Sequence, residues 1–586
     1  MLPTGSILRK LRMEHKSENK ICQNCKIDFI IEPEDFLFYE KIKVPPPTFC
    51  PECSKQRRLS YQNVFSFYKR KDSFSSKDII SIYSPDKDLM VIDQKTWWSD
   101  NWNSMDYGRD YDFNKSFFKQ WKEFRDKFPL QSLINSKAIN SDYCNIAEES
   151  KDSYLCSASW KIENTYYSNA VNRTNNCMDL QIVQDSSYCY DDLNCNDCNQ
   201  VFYSQNSHSC VDSSFLFDCK GCINCFMCSN LRNKSYCFNN QQLNKEEYSK
   251  KVNEIDFGNY YSISKLKKEY EKLKLKSIHK FAVINNSSDT TGNNINHATN
   301  CTNSFDISNN IKDCKNIFWA FNNVVNVYNS GPGLAELETS YEVFDTGVGG
   351  SNNLFGNLIY YSNNIEYSFN CYNCSYCFGC LGLKKKQYCI LNKQHTKEEY
   401  FILRDKIIKH MNDVSYIDKN GCIYKYGEFF PIEMSPFCYN ETFAQDHFPL
   451  KKEDSLLKGY KWKDKEEKKY KIDIKLEDIP DSINDVTDSI LDKVIECEHK
   501  GKCSDRCTTA FKITNDELIF YKRFNIPIPH LCYSCRFSEK FKIRNPLKLW
   551  NRKCMKEGCT NTFETSYSPD REEIVYCEKC YQQEVY

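Results

Sequence analysis

The chain has 586 residues, of which 34 are cysteine and nine are histidine, and its 79 basic residues balance its 79 acidic residues. This length predicts about three or four domains that can each bury a core. The zero net charge excludes a uniformly basic nucleic-acid-binding protein, so any such contact has to come from a local patch. A hydrophobic fraction of 40% excludes a wholly disordered chain.

No apolar run approaches the roughly 20 residues that a membrane span needs. The first twenty residues contain no apolar segment of the signal-peptide type. We therefore expect a protein that is not secreted and that is cytoplasmic, or nuclear or confined to a viral factory if the source is a virus. Cysteines in such a reducing compartment serve as metal ligands or buried thiols rather than as disulfides.

The two ends of the chain repeat one cysteine pattern, in which two short knuckles are separated by 24 residues that align without a gap. Paired knuckles at this spacing are typical of a structural zinc site closed by four thiolates. The predicted ligands are Cys22, Cys25, Cys50 and Cys53 at one end and Cys503, Cys507, Cys532 and Cys535 at the other. The C-terminal knuckle is irregular, so Cys497 competes with Cys503 for the first position.

A second pair of knuckles follows in the C-terminal copy only. Its cysteines flank two short predicted strands around a turn, which is the architecture of a zinc ribbon. The predicted ligands are Cys554, Cys559, Cys577 and Cys580, which brings the expected number of structural zinc ions to about three. The N-terminal copy has Asp72, Ser75, Asp93 and Thr96 in these four places. We predict that this N-terminal ribbon has lost its metal and is held by apolar packing around Trp97 and Trp98.

A basic and aromatic stretch lies between each first zinc site and its ribbon, at residues 54–71 and 536–553. Cationic side chains interleaved with aromatic rings suit phosphate contact and base stacking, so DNA or RNA is one expected partner and a protein is another. The alternative is a solvated face that covers the ribbon. The candidate nucleic-acid contacts are Arg57, Arg58, Lys69, Arg70, Arg536, Arg544 and Arg552.

The middle of the chain carries a short repeat. Cys156, Cys177, Cys198 and Cys219 follow one another at intervals of 21 residues, with like residues in other columns. A fixed short period rich in Ser, Asn, Cys and aromatics predicts a parallel β-helix-like solenoid with about 21 residues per turn. Residues 225–248 match residues 377–400, and each copy ends in a capping-box pattern before a helix. The sequence therefore predicts two solenoid stacks, each closed by a helix.

Each stack also contains a run of four cysteines at CxxC spacing. Residues three apart in an extended strand point to opposite faces, so one strand cannot gather all four around one ion, although a tight loop can. Packed thiols, zinc and an iron–sulfur cluster all stay open as interpretations. The possible further ligands are Cys219, Cys222, Cys225 and Cys228, and Cys371, Cys374, Cys377 and Cys380.

The predicted fold class is mainly β with α insertions, in which duplicated terminal zinc-binding modules of the zinc-ribbon or treble-clef type flank a two-part parallel β-helix-like solenoid. The predicted segments are an N-terminal module with a degenerate ribbon at 1–110, a first stack with its helix at 111–258, a helical linker at 259–283, a second stack with its helix at 284–412, a linker at 413–490 and a double zinc module at 491–586.

Several motifs together resemble those of a known family. They are the run FYEKIKVPPPTFCPEC, the block CFGCLGLKKKQYCILNKQHTKEEY and the ending TSYSPDREEIVYCEKCY. The chain resembles uncharacterised cysteine-rich zinc-ribbon proteins of candidate-phylum bacteria and large DNA viruses over nearly its whole length. The resemblance implies metal binding and no settled activity. This sequence departs from that pattern at Asp72, Asp93 and Thr96, where such proteins tend to carry cysteines.

The leading hypothesis is a zinc-binding scaffold or interaction protein that is not an enzyme, because closed sites of four thiolates stabilise small folds and leave no position for substrate. The chain has no HExxH, GxSxG or Walker motif. One alternative is a β-helix carbohydrate-active enzyme, and a second is an iron–sulfur or redox protein that uses the cysteine runs. Candidate acids for the enzyme are Asp179, Asp185, Asp191, Asp192 and Asp197.

Overall fold

The structure, a computed structural model, describes residues 15–141, 143–345, 349–465, 470–503 and 506–586. The chain is mainly β with several helices. Among the helices of these residues, none has both the length and the apolar character needed to cross a bilayer. All 34 cysteines lie in the described part of the chain, and none of them forms a disulfide.

Two compact units are each assembled from segments that are distant in sequence. The first unit comprises Met1–Ser132, Ala282–Lys463 and Leu547–Leu549, and the second comprises Leu133–Phe281, Asp464–Pro546 and Trp550–Tyr586. The N-terminal cysteine knuckles thus share a unit with the second half of the central region. The C-terminal knuckles share a unit with its first half. Each cysteine module is therefore paired with the repeat region that does not adjoin it in the chain.

The first repeat region, which we name the first array, is a run of short parallel strands. Every parallel pairing in it joins residues that are 12 apart, such as Asn145 with Ser157 and Val211 with Ile223. Its strands are Asn135–Ser136, Asn145–Lys151, Ser157–Tyr166, Asn169–Asn172, Asn175–Met178, Gln181–Gln184, Asn199–Phe202, Val211–Phe217, Ile223–Ser229, Ser235–Phe238 and Gln241–Gln242. The last of these is antiparallel to its neighbour.

The backbone of the first array turns at every third residue. Each third residue of the described chain from Lys137 to Asn239 has a positive φ in the left-handed region, and Gly221 takes its place in the same series. Asparagine, aspartate and glycine tolerate this conformation best, which explains the Asn-rich composition. Four such turns separate residues that are 12 apart, so the chain returns to its starting side and pairs with itself one strand spacing away.

Every third residue in another phase points into the core. From Cys144 to Cys228 each residue at this spacing is at most 5% exposed, and these positions hold Cys, Ser, Thr and small aliphatic residues with one Asp. Each cysteine from Cys144 to Cys237 falls on this phase. The 21-residue period read from the sequence is therefore wrong as a turn length. It is a multiple of three, so it preserves the inward phase without matching the 12-residue register.

The second array has the same kind of register with an added residue. Pairings join residues 13 apart from Ile311 with Val324 onward, and they return to 12 from Gly350 with Ser362 onward. Its strands are Ile284–Asn285, Ser288–Phe321, Val324–Ser330, Leu334–Ala335, Leu337–Tyr341, Gly350–Ser351, Asn357–Tyr360, Ser362–Glu366, Phe369–Tyr372, Ser375–Phe378, Gln387–Ile390 and Lys393–Gln394.

Paired asparagines absorb the extra residue in the second array. Asn309 and Asn310 both have positive φ, as do Asn322 and Asn323 one turn later. The side chains form a ladder, because Asn309 Nδ2 donates to Asn322 Oδ1 at 3.1 Å and Asn310 Nδ2 donates to Asn323 Oδ1 at 2.6 Å. This insertion shifts the inward phase, which is why the period of this region looks irregular in the sequence.

Helices follow both arrays and occupy the cysteine modules. The predicted capping boxes are confirmed, since Asn244 and Thr396 each accept the backbone N–H of the glutamate three residues later. The α-helices are Pro33–Ile42, Pro51–Leu59, Gln94–Trp98, Phe117–Asp126, Lys245–Asn253, Tyr260–Lys276, Lys397–Asp413, Phe443–His447, Lys452–Leu457, Asn515–Phe524, Tyr533–Lys542 and Glu578–Val585.

Short hairpins precede the module helices. Glu18–Ile21 pairs with Asp28–Ile31, and Ile495–Glu496 pairs with Ala510–Phe511. The ribbon hairpins have a common register, in which Tyr68–Lys71 pairs with Asp78–Ser81 and Trp550–Lys553 pairs with Thr562–Thr565. Further short strands are Val91–Ile92 with Leu130–Gln131, Ile278–Lys280 with Ile574–Tyr576 and Tyr416–Ile417 with Ile423–Tyr424.

Candidate metal centres

The N-terminal knuckles bring four sulfur atoms together. The Sγ atoms of Cys22, Cys25, Cys50 and Cys53 all lie within 4.8 Å of one another. Cys25 Sγ and Cys50 Sγ are 3.7 Å apart. Zinc–sulfur bonds of about 2.3 Å place two ligands of a tetrahedral ion about 3.8 Å apart, so this quartet has the size that such an ion requires. Three of the four cysteines are buried, which excludes solvent from most of the site.

The first C-terminal quartet contains Cys497 rather than Cys503. The sulfur atoms of Cys497, Cys507, Cys532 and Cys535 lie within 4.8 Å of one another. Cys497 and Cys507 are 3.6 Å apart, and Cys532 and Cys535 are 3.5 Å apart. Strand pairing decides between the two candidates for the first ligand, because Cys497 directly follows the strand Ile495–Glu496 whereas Cys503 lies in the loop beyond it.

The second C-terminal quartet consists of the four predicted cysteines. The Sγ atoms of Cys554, Cys559, Cys577 and Cys580 lie within 4.8 Å of one another. Cys559 Sγ and Cys577 Sγ are 3.9 Å apart, and the Asn561 amide donates to Cys577 Sγ at 3.4 Å. The predicted spacing thus produces a third compact set of four sulfurs.

One hydrogen bond recurs at all three quartets. The backbone N–H of the third cysteine donates to the sulfur of the first cysteine at 3.3 Å: Cys50 to Cys22, Cys532 to Cys497 and Cys577 to Cys554. The third cysteine is also the N-cap residue of a helix in every case. The positive end of each helix therefore faces the sulfurs and favours their thiolate form, which is the form that binds metal.

The protonation of the quartets fits this arrangement. Hydrogen bonds from Cys50 and Cys53 lower the pKa of Cys22 well below the usual range of a thiol. The other three sulfurs of its quartet lower the pKa of Cys532 in the same way. Burial raises the pKa of Cys577, but hydrogen bonds, first of them that of Asn561, bring it down to about 6. Each quartet thus contains a thiol that ionises readily.

The N-terminal ribbon keeps this frame without cysteines. Asp72 takes the place of the first sulfur, since its carboxylate accepts the N–H of Phe74 at 2.9 Å, of Ser75 at 2.5 Å and of Asp93 at 2.5 Å. Burial raises the pKa of Asp72, but these backbone donors lower it by more, so the group is held as a carboxylate. Thr96 lies in the helix that Asp93 caps.

Apolar packing in this ribbon involves only one of the two predicted tryptophans. Trp97 is fully buried, and its ring centroid lies 4.9 Å from that of Trp102. Trp98 is 37% exposed, with Lys384 Nζ 4.9 Å from the centre of its ring. The side chain that replaces metal coordination in linking the two knuckles is Asp72, which the sequence analysis identified only as a lost ligand.

The basic residues of the first unit are internal. Arg57 and Arg58 are 2% and 1% exposed. Both pair with Glu342 of the second array, at 3.5 Å and 3.1 Å, and Arg57 also pairs with Glu428 at 3.1 Å. These two guanidinium groups are therefore withdrawn from any nucleic-acid surface. They attach the helix of the zinc-binding module to the array.

Equivalent residues do the same work in the second unit. Arg536 pairs with Asp179 of the first array at 2.9 Å, and Lys540 pairs with Asp191 at 2.5 Å. Four other candidate contacts have varied surroundings. Arg70 Nη2 donates to Leu89 O, Arg552 Nη1 donates to Ser568 O, Arg544 lies over the Phe541 ring, and Lys69 is exposed. The basic stretches are largely docking faces, a role indicated by acidic partners that lie far away in the sequence.

The central cysteine runs do not converge. Among the described residues, the groups of three or more metal-capable side chains with donor atoms within 4.8 Å do not include Cys219–Cys228 or Cys371–Cys380. Their thiols contact backbone oxygens instead, as Cys228 does with Cys237 O at 3.5 Å. Burial raises the pKa of Cys219 and Cys371 well above the usual range. Residues three apart lie on different sides of the array, so packed thiols account for both runs.

The candidate catalytic acids of the first array also have partners. Asp192 is fully buried and accepts the N–H of Ser204 at 2.8 Å. The others are bound through Arg536 to Asp179, Arg173 to Asp185, Lys267 and Lys540 to Asp191, and Ser209 to Asp197. These contacts explain the acids as structural groups and leave no pair of free carboxylates among them for glycoside cleavage.

Comparisons with known proteins place no name beside this architecture. No family model matches the chain, and no match was found among curated proteins or among solved structures.

Proposed function

We propose that the protein is a zinc-stabilised scaffold without catalytic activity, in which three closed sites of four thiolates hold the terminal modules. The observation that carries the proposal is the recurrence of one frame at all three quartets: four sulfurs within 4.8 Å, and an N–H of the third cysteine on the first sulfur. Sites with four protein ligands supply folding free energy and leave no position for a substrate.

Zinc is the proposed metal because sulfur-only tetrahedral sets select zinc or iron–sulfur clusters, and the knuckle spacing here is of the zinc type. We propose the same frame as the basis of the zinc-ribbon architecture of the C-terminal module. The N-terminal ribbon would be its metal-free counterpart, closed by Asp72.

The two arrays are proposed to be four-sided β-solenoids with three residues per side. The 12-residue register and the left-handed residue at every third position support this assignment. Small inward residues fill such a narrow interior, and stacked solenoid turns present an extended surface. The ion pairs of Arg57 and Arg58 with Glu342 would fix a zinc-binding module on one of these scaffolds.

Metal analysis of the reduced full-length chain tests the proposal. At least three zinc ions per chain are expected, together with negligible iron and no visible absorption band. Cys22→Ser, Cys532→Ser and Cys577→Ser should each remove one ion, whereas Cys222→Ser should remove none. A zinc-free, folded protein would refute the proposal, and a brown sample with stoichiometric iron would favour the redox alternative.

Binding to nucleic acid stays a separate proposal, supported by the exposed Lys69 and Lys71 on one hairpin strand. A fluorescent single strand and a duplex, each titrated at low and moderate salt, would test it. A salt-dependent affinity that falls on changing Lys69 and Lys71 together to Gln is the supporting result. Unchanged or absent binding at low salt would remove this partner.

A further inference from the structure

The C-terminal quartet carries a loop that its N-terminal counterpart lacks. Cys22 and Cys25 are separated by two residues, whereas Cys497 and Cys507 are separated by nine, so the C-terminal loop is seven residues longer. The added residues include His499 and Cys503, both of them metal-ligand types. Since the shorter loop already closes a quartet of sulfurs, closure of that site does not require the extra residues.

The extra loop places a second donor set beside the quartet. The donor atoms of His499, Cys503 and Cys535 lie within 4.8 Å of one another. Cys503 Sγ is 3.7 Å from Cys535 Sγ, the separation of two ligands on one tetrahedral ion. Cys535 also belongs to the quartet, so its sulfur is common to both sets.

His499 has the surroundings of a metal ligand. Its Nδ1 atom is buried and has no hydrogen-bond partner among the described residues. Its other nitrogen, Nε2, lies 3.9 Å from the Glu539 carboxylate. A carboxylate beside the non-ligating nitrogen is the usual outer partner of a metal-bound histidine, because it orients the ring and fixes its tautomer. A bound ion would also satisfy the buried Nδ1, which otherwise costs about 1–3 kcal/mol.

We propose a second zinc position at this end of the chain, in which Cys535 bridges two ions and His499 Nδ1 and Cys503 Sγ complete the protein ligands. Three protein ligands leave the fourth position of this ion to water or a small anionic ligand, as in open zinc sites. The side chains of His499 and Glu539 are 30% and 55% exposed, so the position is reachable from solvent. The inference rests on zinc occupancy of the neighbouring quartet, and it adds an ion that the closed-site scaffold does not need.

Native mass spectrometry of the full chain reconstituted with zinc tests this position. Four ions per chain are expected for the wild type, and three for His499→Ala and for Cys503→Ser. Lys502→Ala is the matched control, since it changes an exposed residue of the same loop and should keep four ions. Cadmium-113 NMR of the substituted wild type should show two ions coupled through one shared cysteine, and Cys503→Ser should abolish that coupling.

The outcomes separate this inference from the proposed scaffold. Three ions in the wild type would overturn the second position and leave the three closed sites standing, whereas an ion-free chain would overturn both. Three ions that persist in Cys497→Ser would mean that Cys503 is only a substitute ligand for the quartet, which also overturns the inference. Four ions in His499→Ala would remove the histidine and with it the site as stated.

Discussion

The backbone N–H of Asp93 donates to the carboxylate of Asp72 at 2.5 Å, at the place where Cys577 donates to the sulfur of Cys554 at 3.3 Å. One knuckle is thus joined to the next by an anion in both ribbons: a carboxylate in the first, a sulfur in the second. The carboxylate also accepts two N–H groups of its own turn. A single aspartate therefore keeps the frame of a ribbon without coordinating an ion.

Restoring the four cysteines should restore a metal site in the N-terminal ribbon. The variant Asp72→Cys/Ser75→Cys/Asp93→Cys/Thr96→Cys is expected to bind one ion more than the wild type, because the backbone frame is already in place. Asp72→Ala alone should destabilise the ribbon by about 1–3 kcal/mol, since three buried N–H groups lose their acceptor. Metal stoichiometry and chemical denaturation measure the two effects. An unchanged stoichiometry in the folded quadruple variant would show that the frame differs from that of the C-terminal ribbon.

Glu342→Gln should destabilise the first unit strongly. The substitution leaves Arg57 and Arg58 buried with one fewer anion, and loss of one partner of a buried pair costs about 3–5 kcal/mol. Glu338→Gln, an exposed change in the same array, is the control and should alter stability little. Urea unfolding measures both, and equal behaviour of the two variants would contradict the docking role of this ion-pair group.

Asp345 should make stability depend on pH. Burial raises the pKa of Asp345 to about 7, while the Gln62 amide opposes the rise. The unfolded chain releases this proton near pH 4, so stability from this group is greatest at low pH and declines as pH rises to about 7, by up to roughly 4 kcal/mol.

Asp345→Asn should flatten that decline and raise stability at pH 8. Asparagine also accepts the positive φ of this position, so the control is Asp313→Asn, an exposed residue with positive φ in the same array. Denaturation midpoints from pH 4 to 8 give the comparison. A slope that is the same in the wild type and in Asp345→Asn would show that this carboxyl is not the source.

Inward cysteines of the arrays should tolerate serine, in contrast to those of the quartets. Serine already occupies inward positions such as Ser186 and Ser207. We expect Cys198→Ser to lower stability by about 1 kcal/mol or less and to leave the metal content unchanged. Cys532→Ser should lose an ion and the stability that it supplies. Loss of metal in Cys198→Ser would overturn the assignment of these thiols to packing.

Ile182 should be improved by asparagine. It is a β-branched residue with φ of 54°, a conformation that costs about 1–2 kcal/mol for such side chains. Asparagine relieves this cost and lies one turn from Asn194, which already donates to Asn206. A gain of about 1 kcal/mol is expected for Ile182→Asn. Val183→Asn, a change of the adjacent inward residue, should destabilise instead, and thermal unfolding distinguishes the two.

The sequence alone determined the local patterns. Knuckle spacing predicted which cysteines would gather at the two ends, because a tight turn and a helix N-terminus are local structures. The capping residues Asn244 and Thr396 likewise predicted where helices begin. The recurrence of cysteine and asparagine indicated a repeat, although 21 residues was the wrong turn length, because any multiple of three keeps a side chain on the inward phase.

Only the tertiary structure decided which distant groups meet. Arg57 and Arg58 looked like phosphate contacts until Glu342, nearly 300 positions away, accounted for their charges. Strand pairing selected Cys497 over Cys503, and the fold of the same loop placed Cys503 and His499 against Cys535. Local propensity depends on neighbours in the chain, whereas burial, ion pairing and ligand convergence depend on neighbours in space, and spacing in sequence does not specify those.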